Sequence, residues 1–309
     1  MGTNNGGKPK MLKSLYAGVS GMRAQQTKMD VIANNIANVS TTGFKSGRVR
    51  FEDMISQINT TAQEANNNSG GINAQQVGMG VQVSGTDTIM TGGSLQATGR
   101  PLDMGIQNGD NSFFVVRAEE DTGTVQYTRD GGFFTDETGG LVTATGMRVL
   151  GTKPAAPNEI NDDTVEFDIK TNEDELVPLT NDKTIAVDGE VDELQSYSID
   201  NTGMIIGSYS NGKSYQLGRI ALTSFNNPDG LEKQGGNLYT QTANSGTSVI
   251  GAPSEDGYGI IRSGFLEMSN VDLANEFTDM IVTSRAYQAN SRAITTSDEM
   301  IQELLNLKR

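Results

Sequence analysis

The 309-residue chain contains no cysteine, no histidine and no tryptophan. Without cysteine it can form no disulfide and has no thiolate nucleophile, and without histidine it lacks the usual imidazole acid or base. Zinc sites built from nitrogen and sulfur ligands are excluded on the same grounds. No apolar run reaches ten residues, so neither a membrane-spanning helix nor the apolar core of a cleavable signal peptide is expected. Basic residues are in the minority, 23 against 38 acidic, for a net charge of −15. That balance argues against general binding to nucleic acid or anionic membrane, both of which need clustered Lys and Arg. Carboxylate, hydroxyl and lysine chemistry survive these exclusions, as does a chain with no chemistry at all. The length leaves room for roughly two to three domains.

The charge that is present is unevenly placed. Residues 1–50 carry eight basic side chains against Asp30 alone, a net +7. Between Asn158 and Glu193, thirteen acidic residues face only Lys170 and Lys183, a net −11. This self-repelling, aromatic-poor stretch reads as an acidic inserted outer module over residues 156–194.

Both ends carry helical periodicity. After Met11, Leu15, Met22, Met29 and Ile36 recur every seven residues, with Leu12, Val19 and Ala33 on a companion row that Gln26 interrupts. Near the C-terminus Leu273, Met280, Tyr287, Ile294 and Ile301 repeat in the same way, with Phe277, Ser284, Ser291, Asp298 and Leu305 beside them. A sustained seven-residue repeat predicts a coiled-coil seam. Asn38 to Gly43 supplies turn chemistry to end the first helix, and Asn270 or Asp272 can cap the second, with Glu276 in its first turn. Pattern alone is equally well met by a helical hairpin inside an ordinary domain. The basic first helix and a C-terminal segment of net −2 are mildly complementary.

Between the helices the texture is β. Phe113–Val116, Val125–Tyr127, Leu141–Thr143 and Met147–Leu150 are short strand-like runs separated by glycine turns, and Tyr197–Ile199, Met204–Ile206, Tyr215–Leu222 and Leu238–Gln241 resume the pattern. The expected fold is α+β. Terminal helices (1–45 and 270–309) pair as a coiled coil, a connector covers 46–80, and an antiparallel β domain (81–155 and 195–269) is split by the acidic module. Residues 56–76, rich in Gln, Asn, Ser and Gly, read as a poorly ordered part of that connector.

Three features could carry chemistry. Gly207 to Ser214 matches the phosphate-loop pattern letter for letter, with Lys213 as its lysine. That loop needs a helix to follow, whereas Tyr215 to Leu222 favours a strand, so Asn211-Gly212 reads as a hairpin turn and Lys213 as a turn residue. Adjacent carboxylates at Asp162-Asp163, Asp174-Glu175 and Asp192-Glu193 are the raw material of a glycoside hydrolase, but they lie where few apolar residues could build a cleft or raise a pKa. Asp200-Asn201-Thr202-Gly203 lacks the continuing ligand spacing of a calcium loop and reads as a turn.

The termini also contain recognisable words. Met11 to Met22, with Asn34 to Lys45, resembles the N-terminus of bacterial flagellar axial proteins of the rod and hook family. Ser269 to Leu273, Ala286 to Ser291 and Thr295 to Leu304 resemble the matching C-terminus. Gly93 to Gly99, Tyr127 to Gly131 and Tyr209 to Gly212 carry the resemblance through the β region. Within the family, Asn306 to Arg309 and Phe277 to Val282 look more like a hook subunit than a distal rod subunit. Residues 1–10 precede the usual start at Met11, and the outer module is short for a hook subunit.

The resemblance implies a structural protein with no catalytic residue, cofactor or metal. It implies a hollow, flexible tube that carries torque from rod to filament as a universal joint, its inner wall lined by the terminal helices. The self-assembly seam is then Leu15, Met22, Met29 and Ile36 with Leu273, Met280, Tyr287, Ile294 and Ile301. The implied partners are further copies of the chain, the distal rod protein, the hook cap protein, the hook–filament junction protein and the flagellar type III export apparatus. Neither nucleic acid nor a small-molecule substrate is implied. The implied location is the extracellular hook, reached by export without a cleaved signal peptide.

If Lys213 is a turn residue, titrating the protein with ATP or GTP in a calorimeter should give no heat above dilution. Micromolar binding that disappears in Lys213→Ala would restore the phosphate-loop reading.

Overall fold

Apolar residues recurring at helical spacing near both ends form two long helices, α1 (Leu12–Ala37) and α2 (Leu273–Leu307). The computed structural model describes residues 12–64, 70–118, 124–154, 158–159, 176–180, 184–187, 190–255 and 257–307. The chain divides into two compact units: unit 1 contains α1, Gly47–Thr88 and α2, and unit 2 contains Asn38–Ser46 and Ile89–Val271.

In unit 1, α2 begins where Asp272 Oδ1 accepts hydrogen bonds from the backbone N–H groups of Ala274 (2.9 Å) and Asn275 (3.5 Å). Such a cap is worth about 1 kcal/mol. Of the two residues expected to cap the helix, Asp272 does so and Asn270 is used elsewhere. Residues 46–80, expected as a connector, contain regular structure. Gly47–Asp53 pairs antiparallel with Val81–Thr88, and Gln57–Thr60 pairs with Gln75–Val77, of which all but Val77 fall in the stretch 56–76 expected to be poorly ordered. Polar composition concealed these strands because they are short, two-stranded and largely exposed. The longer ribbon meets α1 at Gly80, where φ is +123° and an added Cβ would lie 2.1 Å from Ser20 Oγ. Only glycine fits that approach. Ser20 Oγ in turn accepts the backbone N–H of Val81 (3.3 Å).

Unit 2 is built on an antiparallel sheet that joins fifteen strands among the described residues. Ser112–Arg117 lies at its centre, hydrogen-bonded to Val125–Thr128, Arg148–Thr152 and Leu222–Ser224. All six of its residues are buried, which explains an uninterrupted Phe-Phe-Val-Val run in place of alternation. Phe114 and Val116 enter one core with Leu141, Val149, Leu217, Ile220 and Ile261. Phe113 and Val115 enter the other with Tyr127, Phe225, Tyr239 and Ile250. Edge-to-face contacts fix the aromatic packing: Phe114 on Phe133 at 5.2 Å and Tyr127 on Phe225 at 4.8 Å between centroids.

Each strand-like run expected from sequence falls on a strand, and Tyr215–Leu222 divides into Ser214–Ile220 and Leu222–Ser224. Much of the acidic module, including Asp162-Asp163 and Asp174-Glu175, lies outside the described residues. Those parts of it that are described are woven into the sheet. Asn158–Glu159 pairs with Gln216 and Tyr215, and Val177–Pro178 pairs with Arg148–Thr152. Leu176 and Leu179 are buried in the two cores. A charge average over 36 residues hides two leucines that pack, so this part of the stretch is core and not a solvated face.

Tyr239 lies 5.7 Å from Phe113 between ring centroids, and burial pushes its phenol up to about 12. The unfolded chain ionises this group near pH 10 and the folded one two units higher, so the unfolded state gives up its proton first. Stability should therefore fall as pH rises from about 10 to 12, by up to about 2.7 kcal/mol from this group. Urea unfolding of unit 2 across that range should lose this slope in Tyr239→Phe. An unchanged slope would assign the alkaline loss to other groups.

Candidate functional site

The two helices of unit 1 pack antiparallel. Ser14 Oγ lies 3.4 Å from Ser297 Oγ, Asn35 Nδ2 donates to Glu276 Oε1 (3.0 Å), and Lys28 Nζ lies 3.4 Å from an Asp279 carboxylate oxygen. Gly18 and Gly21 mark the closest approach. An added Cβ would stand 2.9 Å from Ile294 Cγ1 at the first and 2.7 Å from Asn290 Nδ2 at the second. The contact row on α1 is thus Ser14, Gly21, Lys28 and Asn35, with Gly18 between. It lies one residue before the expected row. Leu15, Met22, Met29 and Ile36 are half-buried on its flank. On α2 Ile294 is in the contact, and Met280 and Ile301 are half-buried. Leu273 and Tyr287 are exposed. The companion row there is Glu276, Asn290 and Ser297; the expected Phe277, Asp298 and Leu305 are exposed. Apolar periodicity cannot register a seam made of Gly, Ser and Asn, which explains the one-residue offset.

Apolar side chains consequently face outward. Phe277, Ile281, Val282, Leu304 and Leu305 on α2 are each about half exposed or more. On α1, Tyr16, Val19 and Arg23 form an open groove of about 410 Å³ with Met54, Met79 and Val83.

The phosphate-loop match and the Asp200 segment are turns, and Asp192-Glu193 lies in the strand Glu190–Ile199. Gly212 has φ +76°, its N–H donates to Tyr209 O (3.0 Å), and the strand Ser214–Ile220 follows directly where a phosphate loop needs a helix. Asp192 accepts from Ser210 Oγ (3.2 Å) and Asn211 Nδ2 (2.6 Å), which binds it to this same hairpin. Gly203 N–H closes a turn onto Asp200 O (2.9 Å). Among the described residues, no cluster of three or more acidic side chains could hold a metal ion, and no helix is long and apolar enough to cross a membrane.

Sequence reasoning missed a buried charge cluster in unit 2. Lys45 Nζ lies 2.6 Å from Glu267 Oε1, and Arg129 Nη1 lies 3.3 Å from Glu267 Oε2, with all three side chains 0–1% exposed. Lys45 Nζ also donates to Thr91 O (2.8 Å), and Gly93 N–H donates to Glu267 Oε1 (2.9 Å). Arg129 Nη2 donates to the carbonyls of Gly109 (2.6 Å) and Asp110, and the guanidinium sits 4.8 Å from the Phe113 ring centre. Burial lowers the pKa of both cations, and the Glu267 charge opposes that shift. Such a cluster is not stabilising merely by being charged, but breaking it leaves an uncompensated buried ion at a cost of about 3–5 kcal/mol. The available signal was that Lys45 ends one family-like word, Arg129 sits inside another, and Glu267 stands two residues before a third.

The helix contact generates a mutational test. Leucine at position 18 would occupy the space of Ile294. Overpacking of this kind costs about 1–3 kcal/mol, offset by up to about 1 kcal/mol from better helix propensity. Gly18→Leu should therefore lower the helical melting transition seen by circular dichroism while unit 2 melts as before. An unchanged helical transition would show that the helices do not need this approach.

Three segments match families of known proteins: residues 15–45 match the flagella basal body rod protein family, 108–207 the flagellar hook protein FlgE/F/G D1 domain, and 262–307 the flagellar basal body rod FlgEFG protein C-terminal family. Each segment contributes one member of the charge cluster. Over 300 residues the chain is 44% identical to the flagellar basal-body rod protein FlgG of Bacillus subtilis, covering 97% of this chain and 100% of that one. The corresponding protein of Borreliella burgdorferi is 39% identical over 300 residues, with 97% and 100% covered. The flagellar hook protein FlgE of the same organism is 31% identical over 446 residues, with 96% and 100% covered. End-to-end similarity of this extent, carried by both helices and by the sheet between them, makes this chain a member of the flagellar rod and hook family of axial structural proteins.

Proposed function

We propose that the chain is a distal rod subunit, which polymerises with copies of itself into a straight, hollow segment of the flagellar axis and performs no catalysis. The carrying observation is the pair of 300-residue alignments to rod proteins, which run end to end. The hook relatives align over 446 and 468 residues and so contain long segments that have no counterpart here. This reading replaces the hook subunit expected from the C-terminal words, which remains the second reading because Asn306 to Arg309 and Phe277 to Val282 favour it.

Unit 1 supports self-assembly. A single chain leaves Phe277, Ile281, Leu304 and Leu305 in water. Burying such a row against a neighbouring copy contributes about 1.5–3 kcal/mol per fully buried side chain, repeated at every subunit. The half-buried Leu15, Met22, Met29 and Ile36 can complete their burial in the same way, and the groove beside Tyr16 offers further apolar surface. Export through the flagellar type III apparatus, without a cleaved signal, belongs to this proposal, as do contacts with the neighbouring axial proteins.

Electron microscopy of assembled protein, or of basal bodies from cells in which this chain is the sole rod or hook subunit, distinguishes the readings. Straight, rigid tubes are expected, and Met29→Asp or Ile294→Asp should abolish them. Curved tubes would assign the chain to the hook. Soluble monomers that hydrolyse glycans would overturn both readings in favour of an enzyme.

A further inference from the structure

The chain crosses between the two units after Ala37, Ser46, Thr88 and Val271. On the unit 2 side, three of these crossing points are tied to one another. Ser46 N–H donates to Asn270 Oδ1 (2.8 Å), Asn270 Nδ2 donates to Ile89 O (2.9 Å), and Ile89 N–H donates to Ser46 O (2.8 Å). The buried ions lie within a few residues of this knot, at Lys45 on the N-terminal side and Glu267 on the C-terminal side.

The charge balance of the cluster is asymmetric. Suppose the segment around Lys45 leaves. Glu267 keeps Arg129 at 3.3 Å and the Gly93 N–H at 2.9 Å, and a neutral, hydrogen-bonded pair remains buried. Suppose instead that the strand bearing Glu267 leaves. Among the described residues Lys45 then keeps a carbonyl partner, Thr91 O, and Arg129 keeps the carbonyls of Gly109 and Asp110. These two buried cations, with the Arg129 charge bearing on Lys45, lose their shared counter-ion. The carboxylate of Asp110, on an exposed residue, is what remains to balance them. Uncompensated buried charge is the costlier state by a wide margin.

We propose that Lys45, Arg129 and Glu267 form a one-way clamp: the N-terminal segment can leave unit 2 alone, whereas the C-terminal strand can leave only if the N-terminal segment leaves with it. Gly43 N–H, which donates to Glu267 O (2.8 Å), and the Ser46–Asn270 bond are broken in either case and do not set the order. Departure of the C-terminal strand also breaks its pairing with Leu95–Ala97 and the Met268 N–H bond to Ser94 O, so the order rests on these bonds together with the like charges it strands, and the charge variants below separate the two. Its use rests on the axial role proposed above, in which a subunit joining a tube could free the segment that follows α1 while the segment that precedes α2 stays fixed.

Hydrogen exchange on the free, full-length subunit tests the clamp whether its tubes prove straight, curved or absent. Amides of residues 42–46 should exchange about tenfold or more faster than those of 265–269, as two local openings of different free energy. Lys45→Met should leave protection of 265–269 within about twofold of the parent, because the Arg129–Glu267 pair persists. Glu267→Gln should lower protection in both segments by about tenfold or more. Equal protection of the two segments in the parent, or loosening of 265–269 alone in Glu267→Gln, would overturn the proposal. If Glu267→Gln does not fold, adding Lys45→Met removes one of the stranded cations and should restore folding. Failure of that double variant to recover would equally overturn the charge-based order.

Discussion

One buried carboxylate joins segments of unit 2 that lie far apart in the chain. Glu267 balances two cations that burial would otherwise expel, and it does so with Lys45 and Arg129 brought from positions far apart in the chain. Around it, Thr91, Gly93, Gly109 and Asp110 supply backbone partners, so five separate segments have to be in place together. An apolar cluster of equal volume would tolerate a slipped register by repacking. A buried ion set does not, because each displaced member leaves an unpaired charge. The cluster therefore ties five segments of unit 2 to one geometry, and breaking it is costly whatever its net contribution to stability.

The sheet itself follows from simpler rules. Ser112–Arg117 is buried on both faces and alternates its side chains between two cores. The flanking strands turn back at glycine-containing bends, of which Asn211-Gly212 shows how a motif's letters can mislead. The phosphate-loop pattern is met in full, but the residues after it alternate and carry aromatic and β-branched side chains, and they form a strand. Context decided the matter, as the physics of a phosphate-binding helix terminus requires.

Unit 1 separates internal packing from external packing. Within the chain, the helices meet along glycine, serine and asparagine, with Ile294 against Gly18 and with hydrogen bonds and a partly exposed ion pair between them. Small residues allow close approach but bury little apolar area, so this contact is modest in energy. The larger apolar side chains of α2 stand on the outer face, unused by a single chain. A globular domain would normally invert that arrangement. It suits a subunit whose helices are completed by neighbours, the property shared by the rod and hook readings.

From residues alone came the exclusion of thiol, imidazole and zinc chemistry, the two terminal helices, the places of the central strands and the turn at Lys213. All of these depend on residue type or on local periodicity, which a linear chain displays directly. The family words near the termini were legible for the same reason. Only the tertiary structure decided that the helix contact runs through Ser14, Gly21, Lys28 and Asn35, with Leu15, Met22, Met29 and Ile36 half-buried beside them. It alone turned part of an acidic stretch into core through Leu176 and Leu179. It alone joined Lys45, Arg129 and Glu267. The physical reason is common to the three: hydrophobic periodicity and charge averages report the neighbours of a residue along the chain, whereas close approach of small residues and pairing of buried charges are set by segments that meet only after folding.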